Sequence, residues 1–183
     1  MRNGIRWIGG ALVLCAGYLP CGPALAQSKP SEIKIAIVQF LSGAAAPHDA
    51  AAVNTAKLLT EQFNASGGIA GVRLNTIYVD EAGSTADKVA EYRRLVQDEK
   101  VAIVIGYTSS ANCLAVSPVA DELKTLTIFQ VCATYRLIDK GVYKYVFRTA
   151  AHSASENIAA ALYVLARKPD LKTIAGMTVK MRQ

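Results

Sequence analysis

The sequence predicts an α/β fold, a three-layer αβα Rossmann-like lobe with a mainly parallel sheet. Short runs rich in β-branched residues, such as Ile33–Val38 and Val101–Ile105, are typical of strands buried on both faces. Longer segments with apolar residues at helical spacing, such as Ser84–Asp98, separate these runs. Because the two kinds of segment alternate along the chain, each helix is expected to connect two parallel strands.

Composition narrows the class of protein. The chain has 183 residues, a formal net charge of +6 and 52% hydrophobic residues. This length favours one domain. The basic residues are interleaved with acidic ones, whereas nucleic-acid binding requires a basic cluster, so no nucleic-acid partner is expected. Two histidines and four cysteines without metal-type spacing predict neither a metal site nor a cofactor.

Residues 1–26 are predicted to be a secretory signal peptide. Arg2 and Arg6 supply the positive start, Trp7–Tyr18 the apolar stretch, and residues 24–26 an A-x-A cleavage site. The apolar stretch is shorter than the roughly 20 residues of a membrane-spanning helix. An anchor that is never cut is the alternative. The signal peptide, cleaved after Ala26, predicts that the chain is exported.

The first strand and the first helix are separated by a loop. A polar linker, 27–32, precedes the strand Ile33–Val38. Gly43 and Pro47 predict a loop over Phe40–Asp49. A helix over Ala50–Phe63 follows, because four apolar residues at helical spacing predict its inner face. These residues are Val53, Ala56, Leu59 and Phe63.

Glycines and capping residues set the next boundaries. Asn64–Gly71 ends the first helix, since glycine adopts the conformation of a helix C-cap. The strand Val72–Val79 follows, and Ser84 or Thr85 caps the helix Ser84–Asp98. The later predicted elements are the strand Val101–Ile105, a helix from about Ser110 to Leu123, the strand Leu126–Val131, a loop over Cys132–Gly141, the extended segment Tyr143–Arg148, the helix Ser153–Arg167 with Ile158, Leu162 and Leu165 inward, and a final strand Leu171–Met177.

In a sheet of this kind ligands bind outside the carboxyl ends of the strands. Gly106–Asn112 runs from a strand into the start of a helix, where free backbone N–H groups and the positive end of the helix dipole attract an anion. Ser109 and Ser110 add hydroxyl donors, and a carboxylate suits a site without lysine or arginine. The alternative is that one of these serines is simply the N-cap of the helix.

The neighbouring loop, Cys132–Tyr135, has similar potential. The hydroxyl of Thr134 can donate to the same anion or accept from an ammonium group, although a lone threonine is also an ordinary turn residue. Cys113 and Cys132 are the cysteines left after signal cleavage. In an exported protein they form either a disulfide or two free buried thiols, and the sequence leaves both open.

No catalytic constellation is convincing, so the chain is not expected to be an enzyme. The sequence has no G-x-S-x-G elbow and no P-loop. Gly67–Gly71 follows a helix, whereas a dinucleotide loop follows a strand. His48 and His152 are interpreted as polar loop residues. Cys132 as a nucleophile needs a nearby base, and nothing in the sequence brings His152 to it.

One segment carries a specific resemblance. Glu61–Gly71 (EQFNASGGIAG), followed by a strand and Asp80, resembles the E-x-x-N-x-x-G-G-I-x-G…D signature of type I periplasmic solute-binding proteins of branched-chain amino-acid ABC uptake systems. Ile35–Gly43 resembles the family's first strand and loop, with Phe40 in place of proline. Phe147–Thr149 resembles its F-R-T segment. The resemblance implies a periplasmic-binding-protein type I fold, leucine-binding-protein-like.

The resemblance also implies a binding site and partners. Ser109 and Ser110 fall where loop serines hold an α-carboxylate. Cys132, Ala133 and Thr134 fall where backbone and hydroxyl groups hold the carboxylate and ammonium groups, and the loop of Leu41 and Ser42 is a candidate wall of the cleft. The implied ligand is an amino acid or a related amide. The implied protein is a periplasmic monomer serving ABC permease subunits.

The resemblance covers an amino-terminal lobe, 33–177, followed by a tail at 178–183. Family members are longer, and the tail does not resemble their crossover to a second lobe. We therefore expect a truncated product that binds amino acids weakly or not at all. Two alternatives stay open: a ligand-sensing module of a receptor or regulator with the same fold, and a small exported α/β enzyme.

Overall fold

A five-stranded parallel sheet organises the chain. In the computed structural model, which describes residues 29–139 and 141–175, the strand order is β2-β1-β3-β4-β5, and every pair is parallel. The elements in chain order are β1 (Glu32–Gln39), α1 (Ala46–Ala65), β2 (Arg73–Asp80), α2 (Thr85–Gln97), β3 (Ile103–Gly106), α3 (Ser110–Glu122), β4 (Leu126–Phe129), α4 (Arg136–Asp139), β5 (Val146–Arg148) and α5 (Ser153–Arg167). The predicted α/β fold with a mainly parallel sheet is confirmed.

The main core lies between the sheet and the pair α2 and α3. Alternate residues of β1, Ala36 and Val38, point to this side, because successive side chains of a strand face opposite ways. Tyr92 and Leu95 of α2 and Val116 of α3 pack against them and are fully buried. This face therefore fixes the positions of the strand ends and of the start of α3.

The opposite face of the sheet is covered by α1 and is more open. Ile35 and Ile37 of β1 point to this side, where residues of α1 and of the sheet line a groove of about 630 Å³. Of the predicted inner face of α1, Val53 is buried, but Leu59 and Phe63 line the groove and are 43% and 42% exposed. The predicted burial of those two residues was wrong, because helical periodicity identifies an apolar side without showing what covers it.

Several predicted boundaries also change. Helix α1 begins at Ala46, so the predicted loop ends earlier and His48 is helical rather than in a loop. Pro47 is compatible with this start, since proline is tolerated in the first turn of a helix. The short helix Arg136–Asp139 lies inside the predicted loop Cys132–Gly141. Strand β3 starts at Ile103, two residues later than predicted.

Helix α5 forms as predicted but does not bury its apolar side. Ile158, Leu162 and Leu165 are 60%, 63% and 46% exposed, and no residue of α5 is buried. Residues 171–175 form no strand, and 176–177 lie outside the described residues. The prediction that α5 buries its apolar side was therefore wrong. The prediction of a final strand was wrong for residues 171–175. The lobe boundary 33–177 stays a prediction.

Other predictions fall outside the described residues. These are the signal peptide 1–26, the first two residues of the linker 27–32, and the tail 178–183. The last linker residue, Glu32, is the first residue of β1. Within the described ranges, no helix has the length and apolarity that crossing a bilayer requires.

The Asn64 side chain ties the end of α1 to the start of β2. Its Nδ2 donates to the carbonyl of Leu74, and its Oδ1 accepts from the N–H of Leu74, both at 2.8 Å. The asparagine of the resemblance segment thus completes backbone hydrogen bonds at the edge of the sheet.

We expect Asn64→Ala to lower the free energy of unfolding by about 2 kcal/mol, because it leaves two backbone groups of Leu74 without partners. Urea unfolding followed by circular dichroism measures the change. Asn54→Ala, at an exposed position of the same helix, is the matched control and should change stability by less than about 0.5 kcal/mol. Equal effects of the two substitutions would contradict the bridging role.

Candidate functional site

The loop from β3 into α3 is the centre of the candidate site. Ser109 is the N-cap of α3, and its Oγ accepts from the N–H of Asn112 at 3.4 Å. Of the two interpretations of the serines, capping therefore describes Ser109. Ser110 is the first residue of the helix, so its N–H belongs to the group of donors that a helix start leaves unpaired.

A buried carboxylate already occupies part of the predicted anion site. Glu81 follows β2 and is fully buried. Its two oxygens accept from the N–H groups of Thr108 at 2.7 Å and Ser109 at 2.8 Å, and Asn112 Nδ2 donates to it at 3.1 Å. Sequence reasoning missed Glu81. The available signal was an acidic residue directly after a strand, at the edge where ligands bind.

A second buried carboxylate lies beside it. Asp49 is 2% exposed and accepts from the N–H of Phe40 at 2.9 Å and from the Thr108 hydroxyl. His48 Nδ1 lies 2.7 Å from the same carboxylate. Burial raises the pKa of Glu81 and the negative charge of Asp49 raises it further, while the hydrogen bonds of Glu81 partly offset both effects.

Two backbone donors at the start of α3 remain available. The N–H groups of Ser110 and Ala111 have no hydrogen-bond partner within the described part of the chain. They lie at the positive end of the helix dipole. The donors able to bind an anion are therefore one or two residues further along than Thr108 and Ser109, and they include the backbone of predicted residue Ser110.

The loop after β4 is held against α3 by a covalent bond. Cys113, in the first turn of α3, and Cys132 form a disulfide, with Cα atoms 6.2 Å apart. Both residues are fully buried. Of the two thiol interpretations, the structure has the disulfide. Cys132 in this state carries no thiolate, so it cannot serve as a nucleophile.

Arg148 fixes the conformation of the same loop. Its Nη1 donates to the carbonyl of Thr134 at 2.7 Å and to that of Cys132 at 3.0 Å. The carbonyl of Ala133 accepts from the N–H of Ser153 at 2.8 Å. The hydroxyl of Thr134 accepts from the N–H of Arg136 at 3.2 Å, which leaves its hydrogen free to donate to a ligand.

The loop of Leu41 and Ser42 has an internal role. The carboxylate of Asp80 accepts from the N–H of Leu41 at 3.0 Å and from the Ser42 hydroxyl. Partial burial acts to raise the pKa of Asp80, but hydrogen bonds from Ser42, Ala82 and Leu41 lower it overall. The N–H of Leu41 and the hydroxyl of Ser42 are thus directed at Asp80, and the Leu41 side chain is 42% exposed.

The two histidines have different partners, and His48 contacts the site through Asp49. His152 caps α5 by accepting from the N–H of Ser155 at 3.1 Å, and the exposed His48 pairs with Asp49. Across residues 29–139 and 141–175, no three histidine, cysteine, aspartate or glutamate side chains are grouped closely enough to hold a metal ion. The arrangement presents backbone and hydroxyl donors, with the buried carboxylates of Glu81 and Asp49 beside the start of α3.

The comparisons with known proteins agree with this architecture. A family model described as periplasmic binding protein matches residues 32–181. The chain belongs to this periplasmic binding protein family. The leucine-specific-binding protein of Salmonella typhimurium is 31% identical over 134 residues, which are 73% of this chain and 36% of that relative. The chain thus spans about a third of the length of such relatives.

Solved structures resemble the fold over a similar share. The branched-chain amino acid transporter substrate-binding protein LivJ from Streptococcus pneumoniae, in complex with isoleucine, is 26% identical with a TM-score of 0.60, covering 66% of this chain and 34% of that one. A solute-binding protein of an ABC transporter from R. palustris, in complex with 4-hydroxybenzoate, is 25% identical with a TM-score of 0.61, covering 75% and 36%. The periplasmic-binding-protein type I fold is therefore confirmed.

Proposed function

We propose that this periplasmic binding protein chain is the ligand-binding part of a solute-binding protein for an ABC uptake transporter, and that it binds the carboxylate of a small organic solute. The observation that carries the proposal is that the N–H groups of Ser110 and Ala111 have no hydrogen-bond partner among residues 29–139 and 141–175. The Thr134 hydroxyl, on a loop joined to the first turn of α3 by the disulfide, adds a third donor. Branched-chain and related amino acids are the first ligands to test, because relatives are named for them.

The proposal extends to location and partners. The signal peptide expected at 1–26 directs export to the periplasm with cleavage after Ala26. Membrane permease subunits of the ABC system are the expected macromolecular partner, and the chain acts as a monomer without catalysis. Mass spectrometry of the exported chain tests the cleavage: a mature form beginning at Gln27 supports it, and a chain retaining residues 1–26 contradicts it.

The donor role of Ser110 has a direct test. We expect Ser110→Pro to weaken carboxylate binding by about tenfold or more, because a hydrogen bond to a charged group contributes roughly 1.5–3 kcal/mol. Proline removes the N–H, and it is favoured at the first position of a helix. The preceding residue, Ser109, has the extended conformation (φ −68°, ψ 123°) that proline requires before it. The substitution thus deletes one donor while keeping the helix start.

The measurement is an NMR titration of the ¹⁵N-labelled chain with millimolar L-leucine, 4-methylpentanoate and 4-hydroxybenzoate. Ser110→Ala is the matched control, since it removes the hydroxyl and keeps the N–H. We expect the amide signals of residues 110 and 111 to shift both in the parent chain and in Ser110→Ala. A smaller shift in Ser110→Ala would measure the contribution of the hydroxyl. If no carboxylate shifts these signals, or if Ser110→Pro binds as tightly as Ser110→Ala, the proposed site is wrong.

A further inference from the structure

The disulfide Cys113–Cys132 joins two segments that are separated in sequence and meet in the main core. The two cysteines are 19 residues apart along the chain and are fully buried among the core residues between the sheet and the pair α2 and α3. Cys113 lies in the first turn of α3, and Cys132 lies in the loop after β4. The bond therefore ties that loop to the start of α3 from inside the protein.

Besides this bond, the loop after β4 is attached through less buried elements. Cys132 has φ +44°, in the left-handed region that residues with a side chain rarely adopt, so contacts with the rest of the fold must hold it there. The carbonyls of residues 132–134 accept their hydrogen bonds from Arg148 of β5 and from Ser153 at the start of α5. Phe147 of β5 is 55% exposed, and no residue of α5 is buried.

The first two turns of α3, residues 110–117, form a weak helix by sequence. Pro118 follows them and has no N–H to donate to the carbonyl four residues earlier, so one hydrogen bond of the helix is missing. The hydroxyl of Ser117 donates to the carbonyl of Cys113 at 2.6 Å, a kind of bond that slightly destabilises a helix. Most residues of these turns are poorer helix formers than alanine or leucine: Ser110, Asn112, Cys113, Val116 and Ser117. These turns therefore need contacts with other elements to remain helical.

The second half of α3 has polar anchors of its own. The carboxylate of Glu122 accepts from both terminal nitrogens of Arg93 in α2, at 2.9 and 2.7 Å. Asp121 accepts from two backbone N–H groups of the segment before β5, at 2.6 and 3.2 Å. The first half is tied to other elements by the hydrogen bonds of Asn112 and by the disulfide. Loss of the disulfide should therefore affect residues 110–117 more than the end of the helix.

We propose that the disulfide Cys113–Cys132 is a folding latch: residues 110–117 and the loop 132–135 take their folded positions only when the bond forms, and the bond, once buried, resists reduction. The bond forms by thiol–disulfide exchange with a disulfide oxidant such as oxidised glutathione. The oxidant gains the two electrons and two protons that the cysteine thiols lose, and it is released as two thiols. In a chain exported as proposed, the oxidising compartment lies outside the cytoplasm, so this part of the lobe is completed after export. The latch is independent of the proposed ligand.

Hydrogen exchange measured by NMR tests whether folding of these segments needs the bond. The full chain carries Cys15→Ser and Cys21→Ser, so that Cys113 and Cys132 are its only cysteines. In the reduced form we expect the amides of residues 113–117 to exchange within about tenfold of the rates of an unfolded peptide, whereas the amides of β1 and β3 stay protected by about a hundredfold or more. In the oxidised form both groups should be protected. Protection of residues 113–117 in the reduced chain, or loss of protection throughout the sheet, overturns the latch.

The rate of reduction tests whether the folded bond is shielded. A reductant reaches a buried sulfur only when the surrounding structure opens, so dithiothreitol should reduce the folded chain about a hundredfold or more slowly than the same chain in concentrated urea. Iodoacetamide trapping followed by mass spectrometry counts the thiols released. Similar rates in the two conditions would mean that the bond is accessible in the folded chain, and would overturn its resistance to reduction.

The matched control is Cys113→Ala/Cys132→Ala in the same background. This variant cannot form the bond, so its amides 113–117 should exchange as fast as those of the reduced parent chain, with or without dithiothreitol. Amides as protected as in the oxidised parent would overturn the latch, since the remaining contacts would then suffice to fold these turns. Because the reduced parent chain keeps both sulfur atoms, its comparison with the oxidised form isolates the bond from any loss of side-chain volume.

Discussion

Gly106→Ala is expected to destabilise the chain by about 2–6 kcal/mol, the sum of a backbone strain of roughly 1–3 kcal/mol and a similar overpacking cost. Gly106 ends β3 with φ +139°, a conformation that side chains rarely adopt. A Cβ there would lie 1.9 Å from the carbonyl oxygen of Val38, which is backbone of the adjacent strand and cannot move aside. Urea unfolding of the variant and the parent chain gives the difference in free energy.

Gly67→Ala is the matched control for this experiment. Gly67 also has a positive φ, +94°, but no atom lies within 4 Å of the position of its Cβ. It should cost about 1–2 kcal/mol, from backbone strain alone. If the two alanine variants are equally stable, a clash with the Val38 carbonyl of β1 does not contribute to the destabilisation by Gly106→Ala.

The parallel sheet could be predicted because its signals are local. Runs such as Ile33–Val38 identify buried strands, and their alternation with helices implies parallel connections. The burial of α1 and α5 could not be predicted in the same way. Periodicity shows that Phe63 and Leu162 lie on an apolar side, but whether water reaches them depends on what covers that side.

The hydrogen bonds of the candidate site could not be predicted from the sequence, although the loop could be selected from it. A helix start after a strand indicates the loop from β3 into α3 as the candidate, since that geometry leaves backbone donors unpaired. The occupancy of those donors depends on Glu81, which is 28 residues from Ser109 in the sequence and reaches it through the fold. The proposed anion site therefore moves to Ser110 and Ala111, and Ser109 becomes a capping residue.

Glu81→Ala should be nearly as destabilising as the glycine substitution, by about 3–5 kcal/mol. The substitution removes the acceptor for the N–H groups of Thr108 and Ser109 and for the amide of Asn112, all next to a fully buried position. Each buried donor left without a partner costs roughly 1–3 kcal/mol, and loosening of the loop limits the sum. Calorimetric or urea unfolding at pH 7 measures the loss, and Glu61→Ala, at an exposed position of α1, is the control.

Glu81→Gln removes the charge of this side chain and also replaces one of its two accepting oxygens, each of which accepts a backbone N–H, with a donating amide nitrogen. Because burial raises the pKa of Glu81 above its ordinary value of 4.5, the folded chain favours the protonated carboxyl. That contribution to stability is complete below pH 4.5 and is lost as the pH rises through the raised pKa. The neutral glutamine does not titrate, so its destabilisation relative to the parent chain should be largest in acid and should shrink toward neutral pH.

Unfolding free energies of both chains from pH 4 to pH 8 measure this trend. A difference that stays constant or grows with pH would mean that the ionised Glu81 is stabilised in place, as the binding partner of the Thr108 and Ser109 amides rather than as a buried charge beside Asp49.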